Sequence, residues 1–120
     1  MYLQFEYLNE MEYALNAASV CVSRAGSNTL FELMSLKIPS VLIPLPAGTS
    51  RGDQIDNADY FYKKGLAEVL PQKVLTEESL ISAINAVYLN RFNILRNFDS
   101  TPINDASRQI SRIIADHALL

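Results

Sequence analysis

Two short apolar runs, Val20-Cys21-Val22 and Val41-Leu42-Ile43, constrain the fold of this chain most strongly. Each is β-branched or apolar at consecutive positions, which marks a strand buried inside a sheet rather than one lying on its surface. Between them Leu30, Leu33, Met34 and Leu36 recur at helical spacing, and Pro39 closes that helix. Strand, helix and strand in so short a span is the pattern of a parallel sheet flanked by helices.

The alternation extends along the chain. Leu3, Phe5 and Tyr7 suit a strand over residues 1–7, ending where Asn9 caps a helix that runs to about Ala18. Asp53 is expected to cap a helix through about Lys64, with Gly65 as its stop and residues 67–70 as a fourth strand. Thr76, followed by Glu77 and Glu78, opens a helix bearing Leu80, Ile81, Ile84, Val87 and Tyr88. Two further helical stretches follow, the last with Ala106, Ile110, Ile113 and Ile114 on one face. The expected fold class is α/β, a Rossmann-like parallel sheet flanked by helices, in a single unit over residues 1–120.

Composition narrows the function. A chain of 120 residues that is 49% hydrophobic can bury one core. A net charge of -3 argues against the basic surface that nucleic acid requires. Cys21 is the sole cysteine, so no intrachain disulfide forms and it is read as a buried thiol. No stretch has the length and apolarity of a membrane span and no basic segment precedes a hydrophobic core, so a cytoplasmic location is expected.

Folds of this class bind ligands beyond the carboxyl ends of their strands. The first such place is Ser23-Arg24-Ala25-Gly26-Ser27-Asn28-Thr29, where a strand turns through glycine into a helix whose N–H groups can meet a phosphate. It lacks the spacing of a dinucleotide fingerprint or a P-loop, and Gly26 and Ser27 equally suit a plain turn and cap. Glu32, early in the same helix, can accept hydrogen bonds from vicinal ribose hydroxyls, or act as a capping-box partner of Thr29. Gln54 and Asn57 share a face at the start of the helix after the loop at residues 45–52, and their amides suit sugar hydroxyls. The alternative there is a polar surface turn. His117 reads as a terminal surface histidine, and Arg91, Arg96, Arg108 and Arg112 as solvated.

Taken in order, Tyr7-Leu8-Asn9-Glu10-Met11, the block from Ser23 to Leu33, Pro39-Ser40-Val41-Leu42-Ile43-Pro44 and Ser50-Arg51-Gly52-Asp53-Gln54-Ile55-Asp56-Asn57-Ala58 resemble the C-terminal domain of the MurG family, in the wording of its Gram-positive members. Those enzymes convert lipid I to lipid II in peptidoglycan synthesis. The resemblance implies the donor domain of a GT-B glycosyltransferase that binds UDP-N-acetylglucosamine without a metal or other cofactor. It implies that a backbone group at Leu8 meets the uracil and that Ser27, Asn28, Thr29, Leu30 and Phe31 line the nucleotide and diphosphate. Glu32 then holds the ribose, and Gln54, with Asn57 beside it, meets the N-acetylglucosamine. No catalytic base is assigned in this segment, because in the family it belongs to an N-terminal domain that also binds the lipid-linked acceptor. The intact enzyme is expected to be peripheral on the cytoplasmic face of the membrane.

Two departures stand out. Lys37 occupies a position where the family usually has glycine, which puts the ending of that helix in question, and Ser19 stands where aspartate is common. The strand that the family places beside residues 20–23 is not in this sequence. The chain alone is therefore expected to be inactive, and either to pair its first strand directly with the second or to associate as a homo-oligomer through that edge. The competing functions are a donor subunit of another UDP-sugar transferase with a separate partner chain, and a non-catalytic nucleotide-binding or association module.

Overall fold

The computed structural model describes residues 4, 14, 15, 17–48 and 52–118. Among these residues the sheet has three parallel strands in the order β1 (Cys21–Ser23), β2 (Ser40–Leu42) and β3 (Ala67–Val69). Helix α1 (Ser27–Leu36) joins the first pair and α2 (Asp53–Lys63) the second. After a 3-10 turn at Gln72–Val74 come α3 (Glu77–Leu89), α4 (Arg91–Asp99) and α5 (Ile103–Ala118). The expected α/β architecture is present. The strand over residues 1–7, its pairing with β1 and the cap at Asn9 lie outside the described residues, although Ala14, Leu15 and Ala17 are helical.

Burial follows the sequence pattern in β2 but not in β1, where Cys21 and Ser23 are part-buried and Val22 is 41% exposed, so the expected buried strand is corrected to a part-exposed one. Strand β2 is central and all three of its residues are buried, which is why it reads as a continuous apolar run. Two connections between neighbouring parallel strands, laid down in one direction, put α1 and α2 on the same face of the sheet. Helix α5 packs across both, burying Ala106, Ile110 and Ile113 as its spacing indicates. Helix α3 covers β2 and β3 and contributes Val87 to the core. Its first turn is held by a capping box in which Thr76 Oγ1 accepts from Ser79 N–H at 3.0 Å and Thr76 N–H donates to Ser79 Oγ at 2.8 Å. Cys21 is only partly buried, and that burial raises its thiol pKa, so it stays protonated and inert at neutral pH.

Helices α1 and α2 leave the sheet face through the same motif, made from different residues. In α1 the Ile38 N–H donates to Leu33 O and the Lys37 N–H to Met34 O, with Lys37 left-handed at φ 55°. In α2 the Leu66 N–H donates to Phe61 O and the Gly65 N–H to Tyr62 O, with Gly65 at φ 70°. Both are Schellman endings, each closed by a buried apolar pair, Leu33 with Ile38 and Phe61 with Leu66. Lys37 therefore ends its helix as a glycine would, at the steric cost that a Cβ brings to this conformation. Helix α4 braces both exits: Lys37 pairs with Asp99 at 2.6 Å, and Asn97 Nδ2 donates to Gly65 O at 2.9 Å.

Candidate functional site

At the carboxyl ends of the strands, two connections meet. The first is the turn Arg24-Ala25-Gly26 between β1 and α1, and the second is the loop from Ile43 to Gly52 between β2 and α2, of which residues 49–51 are outside the described set. Gln54, in the first turn of α2, joins them: its Oε1 accepts from Ala25 N–H at 3.3 Å and from Leu45 N–H at 3.0 Å. One helical turn later, Asn57 Nδ2 donates to Ala25 O at 3.0 Å. Arg24 reaches the other way, donating through Nη1 to Ile43 O at 3.2 Å and to Gln72 Oε1 at 2.6 Å. Three polar side chains thus lace the strand ends together.

Gly26 is the N-cap of α1, with φ -68° and ψ 147° and no side-chain cap. These are ordinary extended angles, so the turn does not need glycine for its backbone; a Cβ there would lie 3.8 Å from Gln54 Nε2. The small residue leaves space in front of the first-turn amides of α1, which have no intrahelical acceptors. The first helical bond of α1 runs from Leu30 N–H to Gly26 O at 3.0 Å. The N–H groups of Ser27, Asn28 and Thr29 therefore form a donor array at the positive end of the helix.

Glu32 lies one turn further along, exposed and without a hydrogen-bond or salt-bridge partner among the described residues. Since α1 begins at Ser27, Thr29 is already inside the helix and the Thr29–Glu32 capping box does not form. Asn28 and Glu32 are both exposed and, four residues apart, share the solvent face of α1. A carboxylate left free beside a helix N-terminus suits a ligand that carries hydroxyls near an anionic group.

The model of the glycosyltransferase family 28 C-terminal domain matches residues 1–113. The chain belongs to that family. Among its relatives, the UDP-N-acetylglucosamine--N-acetylmuramyl-(pentapeptide) pyrophosphoryl-undecaprenol N-acetylglucosamine transferase of Geobacillus kaustophilus is 47% identical over 120 residues, covering 99% of this chain and 34% of that protein. The transferase of the same name from Clostridium kluyveri is 39% identical over 114 residues, covering 94% of this chain and 32% of its own length. The chain thus spans about a third of the length of the curated relatives it matches. Two solved structures share the fold, each with a TM-score of 0.64. The glycotransferase of kitacinnamycin, 18% identical, covers 92% of this chain and 26% of its own; the spinosyn forosaminyltransferase SpnP, 16% identical, covers 94% and 28%.

This family 28 domain brings Ser27, Asn28, Thr29, Glu32 and Gln54 to the strand carboxyl ends, with Phe31 half-buried against the core. It does not place every expected residue there in the expected way. Leu30 is 0% exposed and its N–H is spent on Gly26, so its side chain is core and cannot line a ligand. Asn57 is also 0% exposed and faces the Ala25 carbonyl, which corrects the expected sugar contact to an internal bond. Leu8 lies outside the described residues.

Two features escaped sequence reasoning. His117 is not a solvated terminal residue: its side chain is 19% exposed, and Nε2 lies 2.6 Å from Asp56 Oδ2 in the first turn of α2. A Cβ on Gly52 would meet the His117 ring at 3.3 Å, and Gly52 itself is left-handed at φ 88°. The cap of α2 is therefore Gly52 rather than Asp53. Its pairing with a residue 61 positions away left no local signal. The second feature is an apolar groove of about 600 Å³ beyond the ends of β2 and β3, lined by Pro44, Pro46, Ile55, Tyr62 and Pro71 among others. It contains none of the expected site residues, and the polar surface at α1 is open beside it. Among the described residues no cluster of His, Cys, Asp and Glu could hold a metal, and no helix is long and apolar enough to cross a membrane.

Proposed function

We propose that this domain is the donor half of an inverting N-acetylglucosaminyltransferase. It binds UDP-N-acetylglucosamine, and within a longer protein the sugar passes to a lipid-linked muramyl-peptide, converting lipid I to lipid II. The observation that carries this reading is Glu32, an exposed carboxylate with no partner among the described residues, standing one turn beyond the first-turn amides of α1. Support comes from a relative 47% identical whose name specifies that transfer.

In the proposed reaction the acceptor hydroxyl attacks the anomeric carbon of the sugar as its bond to the diphosphate breaks. Negative charge grows on the departing UDP. The N–H groups of Ser27, Asn28 and Thr29 stabilise it, an electrostatic role that needs no metal in this scheme. Glu32 accepts hydrogen bonds from the ribose hydroxyls and fixes the nucleoside end. Gln54 has its Oε1 committed to two backbone amides, so it faces the sugar only with Nε2, as a donor.

The acceptor site and the base that takes the hydroxyl proton come from the remaining two-thirds of the longer protein, which works at the cytoplasmic membrane surface. The open surface at α1 gains its second wall there. Calorimetry with UDP, UDP-N-acetylglucosamine and ADP, on this chain and on the longer protein, tests the reading. Uridine nucleotides bind and ADP does not; absence of uridine-nucleotide binding in both proteins, with the fold intact, rejects it. The chain alone turns over no acceptor.

A further inference from the structure

Asn57 is buried, touches no solvent and belongs to the helix after the one that carries the donor array. Its Nδ2 donates to Ala25 O at 3.0 Å, while its Oδ1 is buried with no hydrogen-bond partner among the described residues. A side chain of this kind in the core forgoes one hydrogen bond, so the bond it does make must serve a purpose that an apolar residue of similar size would not. What that bond fixes follows from peptide geometry. The described chain has no cis peptide bonds, so the C=O of Ala25 and the N–H of Gly26 point in opposite directions from one plane. With the carbonyl drawn into the core, the Gly26 N–H is turned outward, on the side where α1 begins. The preceding peptide is held as well, since Gln54 Oε1 accepts the Ala25 N–H. Both peptides that flank Ala25 are therefore set by side chains of α2.

We propose that Asn57 is a positioning residue for the nucleotide diphosphate: by holding the Ala25 carbonyl inside, it aims the Gly26 N–H and the first-turn amides of α1 at the phosphate oxygens. The inference rests on the donor reading above. It adds that donor affinity depends on a residue that never meets the donor, and that Gly26 extends the donor array by one N–H before the helix starts. Strength of an anion site of this type comes from preorganised amides, so freeing one peptide to rotate lowers affinity even when the helix stays intact.

The variant that separates this from a packing role is Asn57→Asp, which keeps the shape and exchanges the donor for an acceptor. Ionised, it repels the Ala25 carbonyl; protonated, its O–H donates to that carbonyl and restores the bond. Burial holds such a carboxyl neutral to higher pH than usual. NMR titration with UDP, with amide exchange read at Gly26, Ser27 and Asn28, should show affinity at least about tenfold weaker than wild type near pH 8, returning towards wild type near pH 5. Exchange at those amides rises and falls in parallel. Asn57→Ser, too short to reach the carbonyl, loses affinity at both pH values without recovery, and it serves where the aspartate variant does not fold.

The charged and titratable groups around the site, Asp53 and Asp56 of α2, Arg24 of the turn, Glu32 of α1 and His117 of α5, are common to variants and wild type, as is the UDP. The ratio of variant to wild-type affinity at each pH is therefore the quantity read. Wild-type affinity in both variants, or an equal loss in Asp and Ser variants with no recovery in acid, overturns the positioning role and leaves the donor reading standing. A wild-type chain and longer protein that bind no UDP at all overturn both.

Discussion

The two ends of the sheet are built by opposite means. At the amino ends of the strands, α1 and α2 close with Schellman turns, each sealed by a buried apolar pair and braced by α4. At the carboxyl ends the same two helices begin with no side-chain cap, and Arg24, Gln54 and Asn57 tie the connections together through hydrogen bonds to backbone. One end satisfies its backbone groups internally. The other leaves the amides of α1 and the carboxylate of Glu32 available. The difference teaches where stability and binding reside: a change at the amino end moves the unfolding free energy, and one at the carboxyl end moves donor affinity.

Gly65→Ala puts the largest strain on that division. A Cβ at φ 70° is sterically disfavoured, and it would lie 2.5 Å from Asn97 Nδ2, which donates to the Gly65 carbonyl. Adding the conformational cost to displacement of Asn97 gives a loss of about 2–4 kcal/mol in chemical denaturation. UDP affinity of the folded fraction should not change. If affinity falls as well, the two ends are coupled through α2 and the comparison breaks.

Glu32→Ala is the converse. Losing hydrogen bonds from ribose hydroxyls to a charged acceptor should weaken UDP by about 1–3 kcal/mol in calorimetry, with the denaturation midpoint unchanged because Glu32 has no partner among the described residues to lose. A lower midpoint with unaltered affinity would return Glu32 to a structural role. Gln54→Ala sharpens the comparison further, since Gln54 both joins the two connections and directs Nε2 outward. It should reduce discrimination between UDP-N-acetylglucosamine and UDP-glucose by about 1 kcal/mol. Equal affinities for both sugars in wild type and variant, with lowered stability, would make it a tie alone.

The smallest effect is a gain. Lys37→Gly relieves the left-handed strain at φ 55° and gives up only a solvent-exposed pair with Asp99. A net stabilisation of about 0.5–1 kcal/mol is expected, with donor binding untouched. A loss of stability would show that the Lys37–Asp99 pair contributes more to the brace than its exposure implies.

Much of this division was legible in the sequence. Consecutive apolar positions located β1 and β2 to within a residue, but they carried burial only for β2, which is covered on both faces; in β1 Val22 is 41% exposed, so there the run marked the strand and not its burial. Gly65 was legible as a helix stop from its residue type. Lys37 was not legible from its residue type, because a lysine gives no sign of a left-handed backbone; Pro39, and the glycine usual at this position in the family it resembles, were what pointed to a helix end nearby. At the carboxyl end, spacing put Gln54 and Asn57 on one helical face but could not say that this face turns inward at Asn57 and half outward at Gln54. Spacing put Leu30 on the apolar stripe of α1, where it is indeed buried, and only the resemblance assigned it to the ligand. His117 was missed because its contact depends on the angle at which α5 crosses α2, and no local pattern encodes that.

If the donor lies on the carboxyl-end amides of α1, backbone NMR of this chain titrated with UDP will show it residue by residue. The prediction is that amide shifts concentrate at Gly26, Ser27, Asn28 and Thr29 and extend to Gln54, while Lys37 and Gly65 stay still. Saturable shifts centred instead on the groove at Ile55, Tyr62 and Gln72, with the α1 amides unmoved, would contradict it.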